Sequence, residues 1–231
     1  MVMLVSVIVC SKNEEKYIGK CLEALRKQTI KPEIIVVDGH SKDKTFKIAE
    51  KLADKVFLDH GKGISEARNL GWKSAGGKII AFCDADTIPY RDWVETILGG
   101  IGKNIAVFGP LVPYDGGKRA KLNLKIWGHY FLRVSAKLRY PCLCTGNLAV
   151  LRTALKAVGG FDENVNILED FELGTRLRKL GKIKFLPKMC MPVSSRRYQQ
   201  GFAKTALEFY IANAIRIKVL KKSPKTSGYW K

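Results

Sequence analysis

Short apolar runs alternate with amphipathic stretches along the first 110 residues of the chain. The apolar runs lie at residues 4–10, 33–37, 55–58, 78–83 and 105–108. Between the first two runs, apolar side chains recur at helical spacing at Ile18, Cys21, Leu22 and Leu25. Strands that alternate with helices in this way are typical of a parallel sheet covered by helices on both faces. The pattern therefore predicts a parallel α/β sheet.

Local signals predict where the helices begin. Asn13 is expected to cap the first helix, with Glu14 and Glu15 in its first turn, because carboxylates stabilise the positive end of the helix dipole. Ser41 is expected to start the second helix. Residues 63–75 are expected to form the third helix, since a glycine pair follows them as a stop signal.

The second half of the chain is less regular but contains a basic amphipathic stretch at residues 121–139. Basic residues recur there every fourth position, at Lys121, Lys125, His129, Arg133 and Lys137. An apolar residue follows each of them, at Leu122, Ile126, Tyr130, Val134 and Leu138. Residues 201–222 form a second apolar stretch that ends in basic residues. Both stretches predict amphipathic helices, which either lie on an anionic membrane surface or pack on the domain with a solvated basic face.

Acidic residues directly follow two of the predicted strands. Asp84 and Asp86 follow the fourth apolar run, and Asp38 follows the second. Because ligands of open α/β sheets bind outside the carboxyl ends of the strands, these acids and the polar residues 11–14 should converge on one edge. The alternative is that the three aspartates are turn or cap residues.

Asp84 and Asp86 are expected to point to the same side of an extended segment, where unpaired like charges cost free energy. No cation in the local sequence pairs them. Mg²⁺ and Mn²⁺ are commonly held by one or two carboxylates together with substrate phosphates. The pair therefore predicts a site for a divalent metal and a nucleotide diphosphate.

The positive charge of the chain is concentrated in two segments. The net charge is +20, and fourteen of the excess positive charges lie in residues 111–140 and 196–231. Such a concentration suits phosphates, nucleic acid or an anionic membrane surface.

The six cysteines are scattered, and we expect them to be reduced core residues of a cytoplasmic protein. Cys142, Cys144 and Cys190 are an alternative, incomplete metal site that lacks a second C-x-C pair. Residues 1–9 lack the features of a signal peptide and are too short to span a bilayer, so they are expected to form the first strand of the core.

Seven motifs carry a resemblance to a known family: VSVIVCSKNEE, IIVVDGHSKDKT, GISEARNLG, IIAFCDAD, TGNLAVLR, VGGFDE and LEDFELGTRL. Their order and spacing resemble the family 2 glycosyltransferases of the GT-A fold. The resemblance implies a single mixed, mostly parallel sheet flanked by helices over residues 1–198. It further implies a nucleotide-sugar-binding half at 1–110 and an acceptor half at 111–198. Residues 199–231 would then form an amphipathic membrane-surface helix and a basic tail.

The resemblance also implies which residues bind the donor, a UDP- or GDP-sugar. The implied donor-binding residues are Cys10, Ser11, Glu14, Asp38, Arg68, Asp84, Ala85, Arg196 and Arg197. Asp86, together with Asp84, is the implied ligand of a divalent metal, Mn²⁺ or Mg²⁺. Arg196 and Arg197 fall where relatives place cations near the diphosphate.

On the acceptor side, the resemblance implies contacts from Gly146, Asn147 and Glu169. Asp170 is the implied general base of an inverting transfer, and like-charge repulsion from Glu169 and Glu172 would raise its pKa. The acceptor would be a hydroxyl or lipid phosphate on a lipid-linked or glycan molecule. The protein would then work at the cytoplasmic face of an anionic membrane.

The chain departs from the family pattern at several positions. Lys12 stands where many relatives have an aromatic residue that stacks on the base, which leaves the donor base open. Residues 195–198 are not the Q-x-x-R-W motif of processive synthases, which favours transfer of a single sugar. No histidine follows His129, so a late metal-binding histidine is absent.

Three further functions are compatible with parts of the sequence. The first is a basic nucleic-acid-binding protein, which would explain the net charge, with aromatic residues such as Trp127 among the cations. It would not explain the acids at the strand ends, so no nucleic-acid partner is expected. The second is a nucleotidyltransferase on a similar scaffold, and the third is an inactive relative that only binds its ligand.

Overall fold

In a computed structural model of the chain, the described residues are 4–137, 143–165 and 168–198. Their strands are β1 (Val5–Ser11), β2 (Glu33–Asp38), β3 (Lys55–Leu58), β4 (Ile79–Asp84), β5 (Ala106–Phe108), β6 (Leu111–Pro113), β7 (Asn147–Leu151), β8 (Ile183–Phe185) and β9 (Met191–Val193). Their α-helices are α1 (Ile18–Arg26), α2 (Thr45–Leu52), α3 (Ile64–Lys73), α4 (Trp93–Ile101), α5 (Lys118–Lys125), α6 (Leu132–Lys137), α7 (Arg152–Val158) and α8 (Glu169–Leu177).

Seven of these strands form one sheet in the order β3-β2-β1-β4-β7-β5-β8. β1 pairs in parallel with β2 and β4, and β2 pairs in parallel with β3. β7 runs antiparallel between β4 and β5. The predicted mixed, mostly parallel sheet is confirmed, and the five apolar runs coincide with β1 to β5. An additional two-stranded sheet of β6 and β9 was not predicted.

Alternating residues of the central strands supply two hydrophobic cores. Val7 and Val9 of β1 pack into the core that also holds Leu22 of α1. Ile8 packs into the opposite core, together with Trp72 of α3. Because helices cover both faces, β1 reads as a continuous apolar run rather than as an alternating pattern.

The first two helices begin later than predicted. α1 begins at Ile18, and its predicted buried stripe is confirmed. Asn13 does not cap it, because its side-chain oxygen accepts a hydrogen bond of 2.8 Å from the backbone N–H of Lys42. α2 begins at Thr45, while the hydroxyl of Ser41 donates to Asp38 at 2.6 Å. The bond from Lys42 to Asn13, with a second bond of 2.8 Å from the backbone N–H of Asn13 to the hydroxyl of Ser41, ties the loops after β1 and β2 to each other.

The structure is helical from residue 118 to residue 137, in the region predicted as a helix at 121–139. A π-helical segment, Ile126–Phe131, joins α5 to α6 there. One side of it packs on the domain through Ala120, Leu124 and Leu132. A second set of apolar residues is exposed by half or more and forms what we call the exposed stripe: Leu122 at 57%, Ile126 at 50%, Tyr130 at 54% and Val134 at 51%.

The apolar residues that recur every fourth position therefore face away from the domain. Among the described residues, no helix is long and apolar enough to cross a membrane. The predicted helix at 201–222 lies outside the described residues.

Candidate active site

The carboxyl ends of β1, β2 and β4 lie side by side, as predicted. In the parallel register, Ser11 pairs with Asp38 and Cys10 pairs with Asp84. Glu14 and Asp86 lie in the loops that follow β1 and β4. We call Glu14, Asp38, Asp84 and Asp86 the acidic edge.

Asp38 is a turn residue with a fully buried side chain. One carboxylate oxygen accepts the backbone N–H of Ser41 at 2.7 Å, and the other accepts its hydroxyl at 2.6 Å. The hydroxyl of Ser11 lies 3.4 Å from the same carboxylate. Asp38 therefore holds the loop after β2, and a direct contact with a donor base stays a prediction.

Asp84 faces a narrow space between the two halves of the chain. A Cβ atom at Gly146 would lie 2.6 Å from Oδ2 of Asp84, so only glycine allows this approach. Burial raises the pKa of the Cys10 thiol to about 12, with Arg68 lowering it and Asp84 raising it. Cys10 is therefore a neutral thiol beside Arg68 and Asp84, not a nucleophile.

Asp86 has a cationic partner, which comes from a distant part of the chain rather than from the local sequence. The Nε and Nη2 atoms of Arg196 lie 3.1 and 3.0 Å from Oδ2 of Asp86. Nη2 also donates to Oε1 of Glu14 at 2.5 Å, and the guanidinium lies 4.4 Å from the centre of the Tyr17 ring. Burial opposes the positive charge of Arg196, but Glu14 and Asp86 hold its pKa above the usual value.

Two serines anchor the segment that carries Arg196. Asp115 accepts the hydroxyl of Ser194 at 2.8 Å and the backbone N–H of Ser195 at 2.5 Å. The backbone N–H of Ser194 donates to the carbonyl of Asp86 at 3.0 Å. These contacts fix Arg196 against the acidic edge, although it follows Asp86 by 110 residues.

The predicted base, Asp170, lies in the first turn of α8 and is 9% exposed. Its Oδ1 accepts the backbone N–H of Phe171 at 2.7 Å. The neighbouring acids each have an arginine partner, since Glu169 pairs with Arg68 and Glu172 pairs with Arg176. Both neighbouring acids therefore have a cationic partner, and the raised pKa of Asp170 stays a prediction.

Cys144 connects the acidic edge to Asp170. Burial raises the pKa of its thiol, and the charges of Asp84 and Asp170 raise it further. Asp84 from β4 and Asp170 from α8 therefore act on the same half-buried thiol. That Asp84 and Asp170 belong to one site stays a prediction.

The side chain of Asn147 is fully buried, so it does not make the predicted contact with the acceptor molecule. Its Oδ1 accepts the indole N–H of Trp93 at 2.8 Å. Its Nδ2 donates to the carbonyls of Pro110 at 3.2 Å and Met189 at 2.6 Å. Asn147 instead ties the start of β7 to three other segments. The acceptor contact predicted for neighbouring Gly146 stays a prediction.

The carboxylates of the acidic edge suit a divalent metal only when a bound molecule supplies further oxygen ligands. Within the described residues, no group of three or more His, Cys, Asp or Glu forms a metal site. Asp86 is 3% exposed and already binds a cationic group through Oδ2. Carboxylate oxygens are hard ligands that suit Mg²⁺ or Mn²⁺, with phosphate oxygens as further ligands.

The remaining predicted residues contribute less to the site. Ala85 is buried between the two aspartates of β4 and its loop. Arg197 lies in the 3₁₀ turn Ser195–Tyr198, and its contact with a diphosphate stays a prediction.

The five cysteines that the structure describes are free thiols, and Cys142 lies outside that set. Sequence reasoning missed Tyr17 and Asp115, because neither lies in a motif at a strand end.

In an open α/β sheet, ligands bind outside the carboxyl ends of the strands, which is where the acidic edge lies. The chain belongs to glycosyl transferase family 2, whose family model matches residues 6–159. This result confirms the family suggested by the seven motifs.

Two curated relatives illustrate the similarity. Glycosyltransferase AglE of Haloferax volcanii is 30% identical over 173 residues, which cover 70% of this chain and 57% of AglE. A glucosyl-dolichyl phosphate glucuronosyltransferase of the same organism is 32% identical over 123 residues, covering 48% of this chain and 39% of the relative. The chain thus spans about half the length of these relatives or less.

Solved structures share the fold over nearly the whole chain. The mannosyltransferase PcManGT from Pyrobaculum calidifontis, in complex with GDP-Man and Mn²⁺, matches with a TM-score of 0.72 at 24% identity, covering 94% of this chain and 65% of that one. TarS of S. aureus, in complex with UDP-GlcNAc, matches with a TM-score of 0.70 at 20% identity, covering 96% of this chain and 68% of that one. At these identities the likeness supports the fold alone.

Proposed function

We propose that the protein transfers a single sugar from a UDP- or GDP-sugar to an acceptor, with inversion and with assistance from a divalent metal. The observation that carries this proposal is the acidic edge at the carboxyl ends of β1, β2 and β4, where Asp86 lies 3.0 Å from Arg196. Asp170, in the first turn of α8, is the candidate base that a single-displacement transfer needs. The GT-A assignment and the division into halves at residues 1–110 and 111–198 belong to the same proposal.

The residues of the acidic edge would bind the donor. Arg196, fixed by its contacts with Asp86 and Glu14, would turn its guanidinium to the diphosphate once a metal nucleotide arrives. Guanidinium groups suit phosphate because their planar fork donates two parallel hydrogen bonds. Asp86, with Asp84, would hold Mn²⁺ or Mg²⁺, which neutralises charge on a leaving diphosphate when it is bound.

Asp170 would accept the proton of the acceptor hydroxyl. Asp84 and Asp86 are unsuited to this role, because they would be engaged with the donor. Asp170 comes from the other half of the chain, so it would approach an acceptor from the side opposite the leaving group. A base in that position gives a product with inverted anomeric configuration.

Thermal unfolding in the presence of nucleotide sugars tests this function. With Mn²⁺ present, one nucleotide sugar is expected to raise the melting temperature, since a ligand at 100 times its Kd stabilises a protein by about 2.7 kcal/mol. Transfer to an acceptor and release of the nucleoside diphosphate should follow with that donor. If no nucleotide sugar stabilises the protein or is consumed, the proposal is wrong.

The competing functions give different products in the same assays. A nucleotidyltransferase would release pyrophosphate. A nucleic-acid-binding protein would ignore nucleotide sugars, and its affinity for nucleic acid would fall steeply with salt. A binding-only relative would show stabilisation without turnover.

We further propose a lipid-linked acceptor and peripheral contact with the cytoplasmic face of an anionic membrane. The support is the exposed stripe, whose apolar side chains lie on a helix with exposed basic residues, among them Lys121, Lys125 and Arg133. Apolar side chains flanked by cations are the composition of helices that lie in a membrane interface. The name of one relative includes glucosyl-dolichyl phosphate, which belongs to the lipid-linked class of molecule proposed here as the acceptor. Residues 199–231 remain part of this proposal from their sequence.

Cosedimentation with vesicles checks the membrane contact. Wild-type protein is expected to bind vesicles that contain anionic lipid at low salt, and to bind neutral vesicles weakly. Leu122→Ser with Ile126→Ser should lower the partition coefficient roughly tenfold or more, because each buried leucine or isoleucine contributes about 1.5 to 3 kcal/mol. A matched control is Ile30→Ser with Leu180→Ser, which changes apolar residues that are 40% and 49% exposed elsewhere on the surface. Equal binding by both double variants would leave only the solvated-face alternative.

A further inference from the structure

Helix α3 contacts the chain that leads into α8 at several points along its length. The hydroxyl of Ser65 donates to the carbonyl of Val165. Asn69 donates to the carbonyl of Phe161 at 2.8 Å and accepts the backbone N–H of that residue at 2.9 Å. Gly160 fits against this contact because a Cβ atom there would lie 2.5 Å from Oδ1 of Asn69. The residues before α8 are therefore held by α3.

Arg68 makes the next contact along the same helix. Its Nη1 lies 2.5 Å from Oε1 of Glu169, and the side chains are only 9% and 13% exposed. The guanidinium lies 5.5 Å from the centre of the Phe161 ring. Burial opposes the charge of Arg68, but Glu169, Cys10 and Asp84 hold its pKa above the usual value. Arg68 thus lies between the ring of Phe161 and the first residue of α8, where the charge of Asp84 also acts on it.

The start of α8 has a strained backbone. Leu168, the residue before the helix, has a φ of 59° although it is not glycine. Such a conformation costs of the order of 1 to 3 kcal/mol and persists only where the surroundings enforce it. Glu169, the next residue, forms the buried ion pair with Arg68. A contact of this kind enforces the backbone conformation of Leu168.

We propose that Glu169 is a positioning residue that acts through Arg68 to set the place of Asp170 relative to Asp84. This inference rests on the proposed transfer reaction, in which Asp84 is on the donor side and Asp170 accepts the proton. Glu169 precedes Asp170 directly, and its partner Arg68 lies over the ring of Phe161, which packs at 5.3 Å against Phe82 of β4. The ion pair therefore joins the first residue of α8 to the strand that ends at Asp84. The family resemblance implied that Glu169 contacts the acceptor. As a positioning residue, Glu169 does not need that contact.

The same turn of α8 provides a matched control. Glu172 also carries a carboxylate paired with an arginine, Arg176, four residues later. Arg176 contacts the carbonyls of Val158 and Gly160 rather than the acidic edge. Glu172→Gln therefore removes the same charge from the same turn without disturbing the link to Asp84.

Steady-state kinetics of Glu169→Gln, Glu169→Asp and Glu172→Gln test the proposal. Glu169→Gln is expected to lower kcat about 100-fold, since a misplacement of about 1 Å has an effect of that size. KM for donor and acceptor should stay close to wild type. Glu169→Asp keeps the charge and so protects folding, yet it retracts the carboxylate and should give an intermediate kcat. Glu172→Gln should keep kcat.

Three results would overturn the proposal: an unchanged kcat in Glu169→Gln, an equal loss of kcat in Glu172→Gln, or a rise in acceptor KM alone, which would mean direct acceptor binding. Amide hydrogen exchange gives a readout that needs no turnover. Glu169→Gln is expected to accelerate exchange at Asp170 and Phe171, and unchanged exchange there would also refute the proposal. A wild-type protein that transfers no sugar would refute the proposed function instead, and exchange would still decide the role of Glu169.

Discussion

Asp86→Ala is expected to abolish the dependence of nucleotide binding on a divalent metal. In the wild-type protein, Mn²⁺ should strengthen binding of UDP or GDP. Asp86→Ala should weaken Mn²⁺ binding by about 100-fold or more, because loss of a partner outside the inner coordination shell alone costs about 10- to 100-fold. The variant should bind the nucleotide equally weakly with Mn²⁺ and with a chelator. Isothermal titration calorimetry under both conditions measures the effect.

The contact between Asp86 and Arg196 makes a control necessary for this experiment. Removing Asp86 also frees one side of Arg196, which still has Glu14 at 2.5 Å. Arg196→Ala should keep the metal dependence and weaken the nucleotide affinity, so it separates the two contributions. Asp92→Ala removes an exposed carboxylate with no side-chain capping bond and should behave as wild type. Metal-independent binding of equal strength in wild type and Asp86→Ala would exclude the metal site.

The acidic edge could be predicted from sequence because each of its acids follows a strand directly. A strand that is buried on both faces is recognisable from its apolar residues alone, and its carboxyl end fixes where the next residues lie. The register of β1 with β2 and β4 then brings Ser11, Asp38 and Asp84 to one edge.

The partner of Asp86 could not be predicted, since Arg196 depends on a distant chain segment. Its position requires the pairing of β6 with β9 and the contact between Asp115 and two serines. These strands have three residues each, too short to give a recognisable period.

Helix caps and buried polar residues were also beyond local sequence signals. Asn13 and Ser41 are good capping residues, yet both bond to the loop of the other strand. Asn147 lies beside Gly146 in the motif, but its side chain is used inside the fold. A motif reveals that two neighbouring residues matter without revealing which one faces a ligand.

The structure also bears on the alternative that Asp170 is a helix cap. α8 has no side-chain hydrogen bond at its cap position, and Oδ1 of Asp170 accepts the N–H of the next residue instead. An asparagine keeps an oxygen that can accept this bond and loses only the charge. Loss of a charge near a helix N-terminus costs typically about 0.3 to 1 kcal/mol. Asp170→Asn should therefore leave the melting temperature close to wild type.

Asp170→Asn is expected to lower kcat by about 10² to 10⁴, the usual contribution of a positioned general base. Affinity for the nucleotide sugar should stay near wild type, because the donor is bound by residues on the other side of the site. Glu172→Gln serves as the control, since it removes a carboxylate from the same turn without removing a base. Single-turnover kinetics measure the chemical step, and NMR of the product gives its anomeric configuration. Near wild-type turnover in Asp170→Asn, or a product that retains the configuration of the donor, would exclude Asp170 as the base, because a single displacement assisted from the acceptor side must invert the anomeric carbon.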